Sequence, residues 1–315
     1  MDKIKKVLIT GGAGYIGSVA VKTLLNKGYK ILVIDNLSKG KKELVDKRAE
    51  FYKADLAKDE FADKLSGVDA VIHFAGYKSV AESMKNPEKY KDNVIGTKKL
   101  LEAMTKNNVK KIIFSSTAAV YGNLEGTMSE DSPTNPISPY GEAKLECEKM
   151  IEHFYYKEKI NYVNLRYFNV AGDGGLNYVD EAAENVIPII MDVIFGRRKE
   201  FTIYGDDYDT RDGTCIRDYI DINDLIKAHV LALEKDVCGT INLCTQTGVS
   251  VKELVKLTQE VTGKKIPVKI GPRREGDMAV VLTTYKKARE LLDWEPKTEI
   301  KEMIKTTYEA YKNNF

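Results

Sequence analysis

The sequence predicts an α/β protein built on a doubly wound parallel sheet, with a smaller mixed α/β lobe toward the C-terminus. Three observations carry the prediction. Short β-branched runs alternate with amphipathic stretches of helical period over the first half of the chain; the first run leads through a glycine-rich turn straight into a helical pattern; and past about residue 170 the alternation loosens. Strands that alternate with helices pair in parallel, because each crossover helix returns the chain to the same end of the sheet.

The first strand is expected over Lys6–Thr10, ahead of a helix that carries Val21, Leu24 and Leu25. Lys30–Ile34, Phe51–Lys53, Ala70–Phe74, Lys111–Ser115 and Tyr162–Arg166 read as the following strands, each rich in branched and aromatic side chains. Beyond them, helices are expected near Asn185–Phe195, Asn223–Glu234, Lys252–Val261, Tyr285–Leu292 and Lys301–Tyr311, set among short strands and loops. We therefore divide the chain into a first lobe over 1–170, completed by some return strands from the C-terminal part, and a second lobe over 171–315. No Pro/Gly/Ser linker separates them and no period of roughly 20 to 50 residues repeats, so the lobes are continuous.

Composition excludes several classes of function. With 315 residues, 43% hydrophobic and 30% charged, the chain is expected to fold throughout around a sizeable core. Lys and Arg number 49 against 47 Asp and Glu, a formal charge of +2. That is too little for an electrostatic grip on nucleic acid or an anionic membrane, and neither is an expected partner. No apolar run approaches the roughly 18 to 20 residues of a membrane span, so a cytoplasmic address is expected. Cys147, Cys215, Cys238 and Cys244 form no Cys-x-x-Cys pair, and His73, His153 and His229 are scattered; a reducing compartment and no bound metal follow. Arginine is scarce, and Arg197, Arg198, Arg211, Arg217, Arg273 and Arg274 fall between 197 and 274. Because guanidinium forks match phosphate oxygens, this grouping points to a phosphate-bearing ligand in the second lobe, although Arg197 and Arg198 read equally well as solvated surface charge.

The turn after the first strand reads Gly11-Gly12-Ala13-Gly14-Tyr15-Ile16-Gly17. Glycines at 11, 14 and 17 allow a tight turn, close approach of a pyrophosphate to the backbone, and close packing of helix on strand, while the helix N-terminus offers free N–H groups to the anion. The next strand ends at Asp35, eighteen residues beyond Gly17. A carboxylate there accepts the adenosine ribose hydroxyls and repels a 2′-phosphate, so NAD is expected rather than NADP.

Three Tyr-x-x-x-Lys pairs occur: Tyr140 with Lys144, Tyr155 with Lys159, and Tyr308 with Lys312. Only Tyr140 follows a strand ending in hydroxyl residues, Phe114-Ser115-Ser116-Thr117, and only it opens a helix with Ser138 as N-cap and Pro139 at the first helical position. The other two pairs are expected to be surface side chains. Tyrosine titrates near about 10 in water, so as a base at neutral pH it needs help. Lys144, one turn along the same face, is expected to supply it by lowering the phenol's pKa, with Thr117 passing the proton of the reacting hydroxyl.

The Gly-x-x-Gly-x-x-Gly spacing, followed by Thr117, Tyr140 and Lys144, resembles the extended short-chain dehydrogenase/reductase family. Within it the chain is similar to the UDP-glucose 4-epimerases, through Val71-Ile-His-Phe-Ala-Gly76 with Lys78, Asn93-Val-Ile-Gly-Thr97, Leu165-Arg-Tyr-Phe-Asn169, Asp212-Gly-Thr-Cys-Ile-Arg-Asp-Tyr219 and Pro272-Arg-Arg-Glu-Gly-Asp277. The resemblance implies a Rossmann-like first lobe that binds NAD and a second lobe that binds a nucleotide sugar. It implies that UDP-glucose and UDP-galactose are interconverted by reversible hydride transfer between sugar C4 and tightly bound NAD, through a 4-keto intermediate. Tyr140 would be base and acid, Lys144 its modulator and Thr117 the shuttle, with Tyr140 and Lys144 also touching NAD. Gly11, Gly14, Tyr15, Ile16, Gly17, Asp35, Asn36, Asp55, Leu56, Phe74, Ala75, Gly76, Lys78 and Asn93 would surround the cofactor. Asn169, Asn185, Tyr204, Arg217, Arg274 and Asp277 would join Thr117 and Tyr140 around the UDP-sugar. A homodimer through the helices Glu88–Lys106 and Tyr140–Tyr156 is implied as well.

Two alanines, Ala118 and Ala119, follow Thr117 where the related 4,6-dehydratases carry an acidic pair, and two methyl groups cannot transfer protons. The site is thus equipped for oxidation and re-reduction at one carbon. Val281 stands where many UDP-galactose-specific members carry a tyrosine against the sugar's C2 substituent, so UDP-N-acetylhexosamines are expected to fit. Thr284 stands in place of the usual Asp as cap of the following helix. A 4-epimerase of a UDP-uronate, or a non-catalytic NAD-binding sensor, would share the glycine turn; the sensor would have no need of Tyr140, Lys144 and Thr117 together.

Overall fold

The computed structural model describes residues 4–124, 126–181, 183–274 and 277–315. In chain order the first half runs β1 (Lys6–Thr10), α1 (Tyr15–Asn26), β2 (Lys30–Asp35), β3 (Glu50–Lys53), β4 (Ala70–His73), α2 (Val80–Lys85), α3 (Pro87–Lys106), β5 (Lys111–Ser115), β6 (Thr127–Met128), α4 (Pro139–Glu158) and β7 (Asn161–Tyr167). The second half continues with β8 (Asn169–Ala171), α5 (Val186–Ile194), β9 (Phe201–Tyr204), β10 (Ile216–Arg217), β11 (Tyr219–Asp221), α6 (Ile222–Glu234), β12 (Gly239–Leu243), β13 (Val249–Ser250), α7 (Val251–Thr262), β14 (Val268–Gly271), β15 (Val280–Thr283), α8 (Lys286–Leu292) and α9 (Ile300–Lys312).

Among the described residues the main sheet has seven parallel strands in the order β12-β7-β5-β4-β1-β2-β3. The order reverses between β1 and β4, and in such sheets the crevice at the carboxyl ends beside the reversal is where ligands bind. The predicted strands agree to within a residue or so at each end; Phe74 falls just past β4, its N–H donating to the Thr10 carbonyl at 3.1 Å. One strand comes from far along the chain: β12 pairs with β7 from Gly239↔Val163 to Leu243↔Tyr167, the return strand that the sequence leads one to expect.

The strands are buried on both faces because each face has its own helices. One face joins Val7, Ile9 and Val33 to Val21 and Leu24 of α1, Leu225 and Ile226 of α6, and Trp294. The other joins Leu8, Leu32 and Val71 to Leu100 and Met104 of α3 and Ile151 of α4. Each such side chain is worth roughly 1.5–3 kcal/mol on burial, which gives the sheet its rigidity. Trp294 is completely buried and its indole N–H donates to the Asp224 carbonyl at 2.9 Å, pinning the chain after α8 to α6.

The second lobe is built from smaller pieces: a four-stranded mixed sheet β13-β10-β15-β6, and the pairs β11-β8 and β14-β9. Its core gathers Ile190 and Met191 of α5, Leu254 of α7 and Ile304 of α9. The sheet reaches back into the first half through β6, whose Met128 lies opposite Thr283. Thr284 caps α8 slightly off the expected place: the N-cap backbone position is Tyr285, while the Thr284 hydroxyl accepts from the Lys286 N–H at 3.2 Å. Among the described residues no helix is long and apolar enough to cross a membrane.

Candidate active site

The glycine turn lies at the carboxyl end of β1. Gly11 adopts φ +71°, a left-handed conformation that side chains avoid, and a Cβ there would lie 2.6 Å from the Ala75 amide nitrogen. Gly17 is tighter: its Cβ would meet the Gly11 carbonyl oxygen at 2.1 Å, so the absence of a side chain is what lets α1 start so close to β1. Gly14 caps α1 without any side-chain hydrogen bond, leaving the first turn without a carboxylate or hydroxyl cap of its own. Tyr15 stacks on Tyr178 with ring centroids 4.9 Å apart, and its hydroxyl donates to the Gly172 carbonyl at 2.5 Å. Ile16, beside it, is half-buried against the α1 face of the sheet.

Asp35 ends β2, 8% exposed, where its carboxylate accepts the N–H of Ala13 at 3.0 Å and of Leu37 at 2.8 Å. The acid thus ties the turn to β2 and keeps further lone pairs on both oxygens. Asn36 donates to Asp55 at 3.0 Å. Burial pushes the Asp55 carboxyl up, but hydrogen bonds from Asn36 and Ala57 and the charge of Lys58 leave it below its usual range. Beside this pair lies a cavity of about 360 Å³, with Ser38, Lys53, Ala54, Lys58, Asp59 and Tyr77 completing its wall. Leu56 is buried next to it. Phe74, Ala75 and Gly76 follow β4, with the Phe74 ring against His229 at 4.8 Å; Lys78 is exposed. Asn93 clamps the backbone of Tyr77, accepting its N–H at 2.8 Å and donating to its carbonyl at 3.0 Å. A larger groove, about 610 Å³, opens among Lys41, Tyr178, Glu181, Arg197 and Phe315; of the residues singled out by sequence it holds Arg197 alone.

Beyond β5, Thr117 caps a short 3-10 turn over Ala118–Tyr121, its hydroxyl accepting from the Ala119 N–H at 3.2 Å. Ser138 caps α4 through the Gly141 N–H at 3.2 Å with Pro139 in the first turn, which delivers Tyr140 to the strand ends. Tyr140 is half-buried, hydrogen-bonded to Thr117, with its ring edge-on to Tyr90 at 6.3 Å. Lys144 is 5% exposed; its ammonium donates to the Ser115 carbonyl at 2.8 Å and lies 4.7 Å over the Phe114 ring. Burial pushes the Tyr140 phenol above its usual range, against the pull of the Thr117 hydrogen bond. The expected lowering by Lys144 is not seen: burial and the Thr117 hydrogen bond are what act on the phenol, and the lysine itself is drawn down to about 8 by desolvation. Its charge in turn adds to the burial that holds His73 neutral, with a pKa near about 3.

Four predicted residues of the second lobe meet. Arg274 lies 4.7 Å over the Tyr204 ring and its Nε donates to Asp277 at 2.8 Å, while the other Asp277 oxygen is 3.6 Å from Arg217. Arg217 also donates to the Ile216 and Met278 carbonyls at 2.9 and 2.8 Å. Asn169 donates to the Asp218 carbonyl at 3.1 Å, beside this cluster, and Asn185 is the N-cap position of α5 with no side-chain cap bond. The remaining arginines of the 197–274 group turn elsewhere: Arg197 and Arg198 to Asp192, Arg211 to Glu253 and Arg273 to Asp207. The other Tyr-x-x-x-Lys pairs are not surface tyrosines. Tyr155 packs on Tyr162 at 5.6 Å and Tyr308 on Phe195 at 5.6 Å, because both sit on the inner edge of amphipathic helices; their lysines are exposed.

Residues 7–244 match the model of the NAD dependent epimerase/dehydratase family. This chain belongs to that family. A UDP-glucose 4-epimerase of Halalkalibacterium halodurans is 45% identical over 303 residues, 92% of this chain and 90% of that one. The crystal structure of UDP-glucose-4-epimerase from Stenotrophomonas maltophila with bound NAD and formylated UDP-arabinopyranose is 34% identical, covers 99% of each chain and superposes with a TM-score of 0.94. The UDP-Glc/GlcNAc 4-epimerase from Campylobacter jejuni is 36% identical over 98% of this chain and 99% of that one, with a TM-score of 0.86.

As a member of the epimerase/dehydratase family the chain uses NAD, and its residues fit a dinucleotide: the glycine turn is a cradle that a Cβ would fill, open at a helix N-terminus, with a carboxylate and a cavity at the far end. Sequence reasoning missed Tyr77, Ser38, Lys53, Lys58 and Asp59 in that cavity. Tyr77 stood between Gly76 and Lys78 in a motif already quoted, so its position was available; its inward ring was not. It also missed Tyr167, whose hydroxyl meets the Ser115 side chain, although Tyr167 lies within the quoted Leu165–Asn169 segment.

Proposed function

We propose that this chain is a UDP-sugar 4-epimerase that interconverts UDP-glucose and UDP-galactose without net oxidation. The juxtaposition of Tyr140, Lys144 and Thr117 carries the reading, because a hydroxyl donor, a phenol and an ammonium are what proton removal from a sugar alcohol requires. Residues 1–170 serve the cofactor and 171–315 the nucleotide sugar, with Asn169, Asn185, Tyr204, Arg217, Arg274 and Asp277 around the substrate. Held at the glycine turn of Gly11, Gly14 and Gly17, NAD would supply the hydride acceptor for sugar C4 and the donor that restores it, so no external oxidant would be needed.

The side chains supply the rest. Thr117 hydrogen-bonds the 4-hydroxyl and relays its proton to Tyr140, which reacts as the phenolate and leaves the step as the neutral phenol; Lys144, anchored on the Ser115 carbonyl, favours that phenolate beforehand by its charge. Positive charge has to offset the burial that raises the phenol, and the charge of bound NAD would add to that of Lys144. Ala118 and Ala119 provide no second acid or base, which favours one-carbon chemistry over elimination. Arg217 and Arg274 are suited to the diphosphate, holding the nucleotide while the sugar presents its other face.

Val281 lies 7% exposed in an apolar cluster with Ala118 and Met278, and this small side chain near the Thr117 turn supports acceptance of UDP-N-acetylhexosamines. The reading includes a cytoplasmic homodimer: Ile95 on α3 and Tyr156 on α4, with Val80 and Met84 on α2, expose apolar surface, and the cysteines are free thiols. Sedimentation equilibrium returning the monomer mass would remove the dimer. The deciding experiment is incubation of the purified protein with UDP-galactose and no added cofactor. UDP-glucose is expected to accumulate to an equilibrium mixture; unchanged UDP-galactose in a preparation that contains NAD refutes the assignment.

A further inference from the structure

Tyr140, Lys144 and Glu148 are spaced four residues apart on α4, so they share one face of the helix. Glu148 is 4% exposed and forms a bidentate pair with Arg166 of β7, which is 6% exposed: Nε donates to Oε1 at 2.9 Å and a terminal nitrogen to Oε2 at 2.5 Å. The same Oε1 accepts the Ser116 hydroxyl, and Ser116 immediately precedes Thr117. Behind the pair the Arg166 guanidinium lies 4.9 Å over the Tyr121 ring, and the Tyr121 hydroxyl donates to Asn242 of β12 at 2.7 Å. One carboxylate thus fastens α4 to the ends of β5 and β7, from which the reacting groups project.

We infer that Glu148 is a positioning residue for the reaction, fixing Thr117 through Ser116 and placing a negative charge one helical turn from the Lys144 ammonium. The inference rests on the epimerase reading above. A buried ion pair is a poor device for stability alone, since desolvation of both ions consumes what their attraction returns, and two apolar side chains of the same volume would hold the helix equally well. They could not supply charge. Burial draws Lys144 down to about 8, and Cys147 and Glu148 are the groups that oppose that fall. The groups around the ammonium are Cys147 and Glu148 from its own helix, His73 from β4, and Phe114 and Ser115 from β5; Tyr167 bonds Ser115 and Arg166 bonds Glu148 from β7. His73 is neutral at working pH, so Glu148 is the anion of this set.

The test uses the NAD-loaded protein and a neutral double variant, Glu148→Gln with Arg166→Met, which strands no charge. Wild type is first assayed with UDP-galactose; no conversion there overturns the functional reading and this one with it. In the folded, NAD-containing double variant, kcat per bound NAD is expected to fall about 10-fold or more, as for loss of other outer-layer hydrogen bonds. KM for UDP-galactose should stay within about twofold, and the alkaline limb of kcat, where Lys144 gives up its proton, should move to lower pH by about half a unit or more. Should that protein keep the wild-type kcat and alkaline limb, Glu148 is only a structural tie and the inference fails. If the double variant does not fold, Glu148→Asp decides: a carboxylate one methylene short keeps its charge but withdraws from Ser116, so kcat should fall with the alkaline limb in place, and an unchanged kcat overturns the inference.

Discussion

In the proposed reaction the Tyr140 oxygen has to be anionic before it takes the sugar's proton and neutral once it holds it, in a pocket whose burial disfavours the anion. Burial opposes the anion and the Thr117 hydrogen bond favours it, so removing the hydroxyl removes the group itself rather than a contact. Tyr140→Phe should lower kcat by about 10² to 10⁴, the range for loss of a general base, with circular dichroism and NAD content as in wild type. Retention of more than roughly a tenth of the activity would sink the role. Val281 makes a second prediction. Val281→Tyr inserts a ring into the cluster of Ala118, Val120 and Met128, and overpacking of roughly 1–3 kcal/mol should fall on the substrate with the bulkier C2 group. The ratio of kcat/KM for UDP-N-acetylglucosamine to that for UDP-galactose should drop about 5-fold or more. An unchanged ratio places the C2 substituent elsewhere.

The strand–turn–helix unit shows how far local pattern reaches. Lys6–Thr10, the glycine turn and the helix after it were legible because each obeys a period or a turn requirement within about twenty residues, and Gly17 marks where helix and turn touch. Gly17→Ala puts a methyl 2.1 Å from the Gly11 oxygen, a contact that only backbone movement relieves. Purified Gly17→Ala protein should contain little NAD and lose about 1–3 kcal/mol of stability in urea; a variant isolated with a full complement of cofactor contradicts the account of the turn. The short strands β6, β10 and β13 were illegible, since two residues carry no period, and they exist only through partners distant in sequence, as Ile216 does opposite Val280. The Arg217–Asp277 and Glu148–Arg166 pairs are of the same kind: their residues stood in recognisable segments, but the pairing is made by tertiary packing.

Over the molecule as a whole, His73 and His229 set a limit on acid tolerance. Burial holds His73 near about 3 and His229 near about 4, against an ordinary value of 6.5, so the folded chain keeps both neutral while the unfolded chain protonates them. Their contribution to stability is complete above about pH 6.5 and declines as pH falls toward 4, by up to about 1.4 kcal/mol per pH unit for each histidine. Buried Asp218 and Asp221, whose carboxyls are raised, act in the opposite sense. Thermal unfolding followed from pH 7.5 to 4.5 should show a falling Tm, and His229→Gln should flatten the fall; an equally steep decline in that variant assigns it to other groups.

The outermost place beside β7 is filled by β12, which arrives some seventy residues later. Until β12 has been made, β7 is the edge strand on that side, its outward row of amides and carbonyls open to pairing. Residues 1–170 expressed alone would lack that strand and are expected to aggregate more readily than the full chain, which light scattering of the two would check. Synthesis has to run well into the second half before the seventh strand is in place, and β12 then becomes the edge.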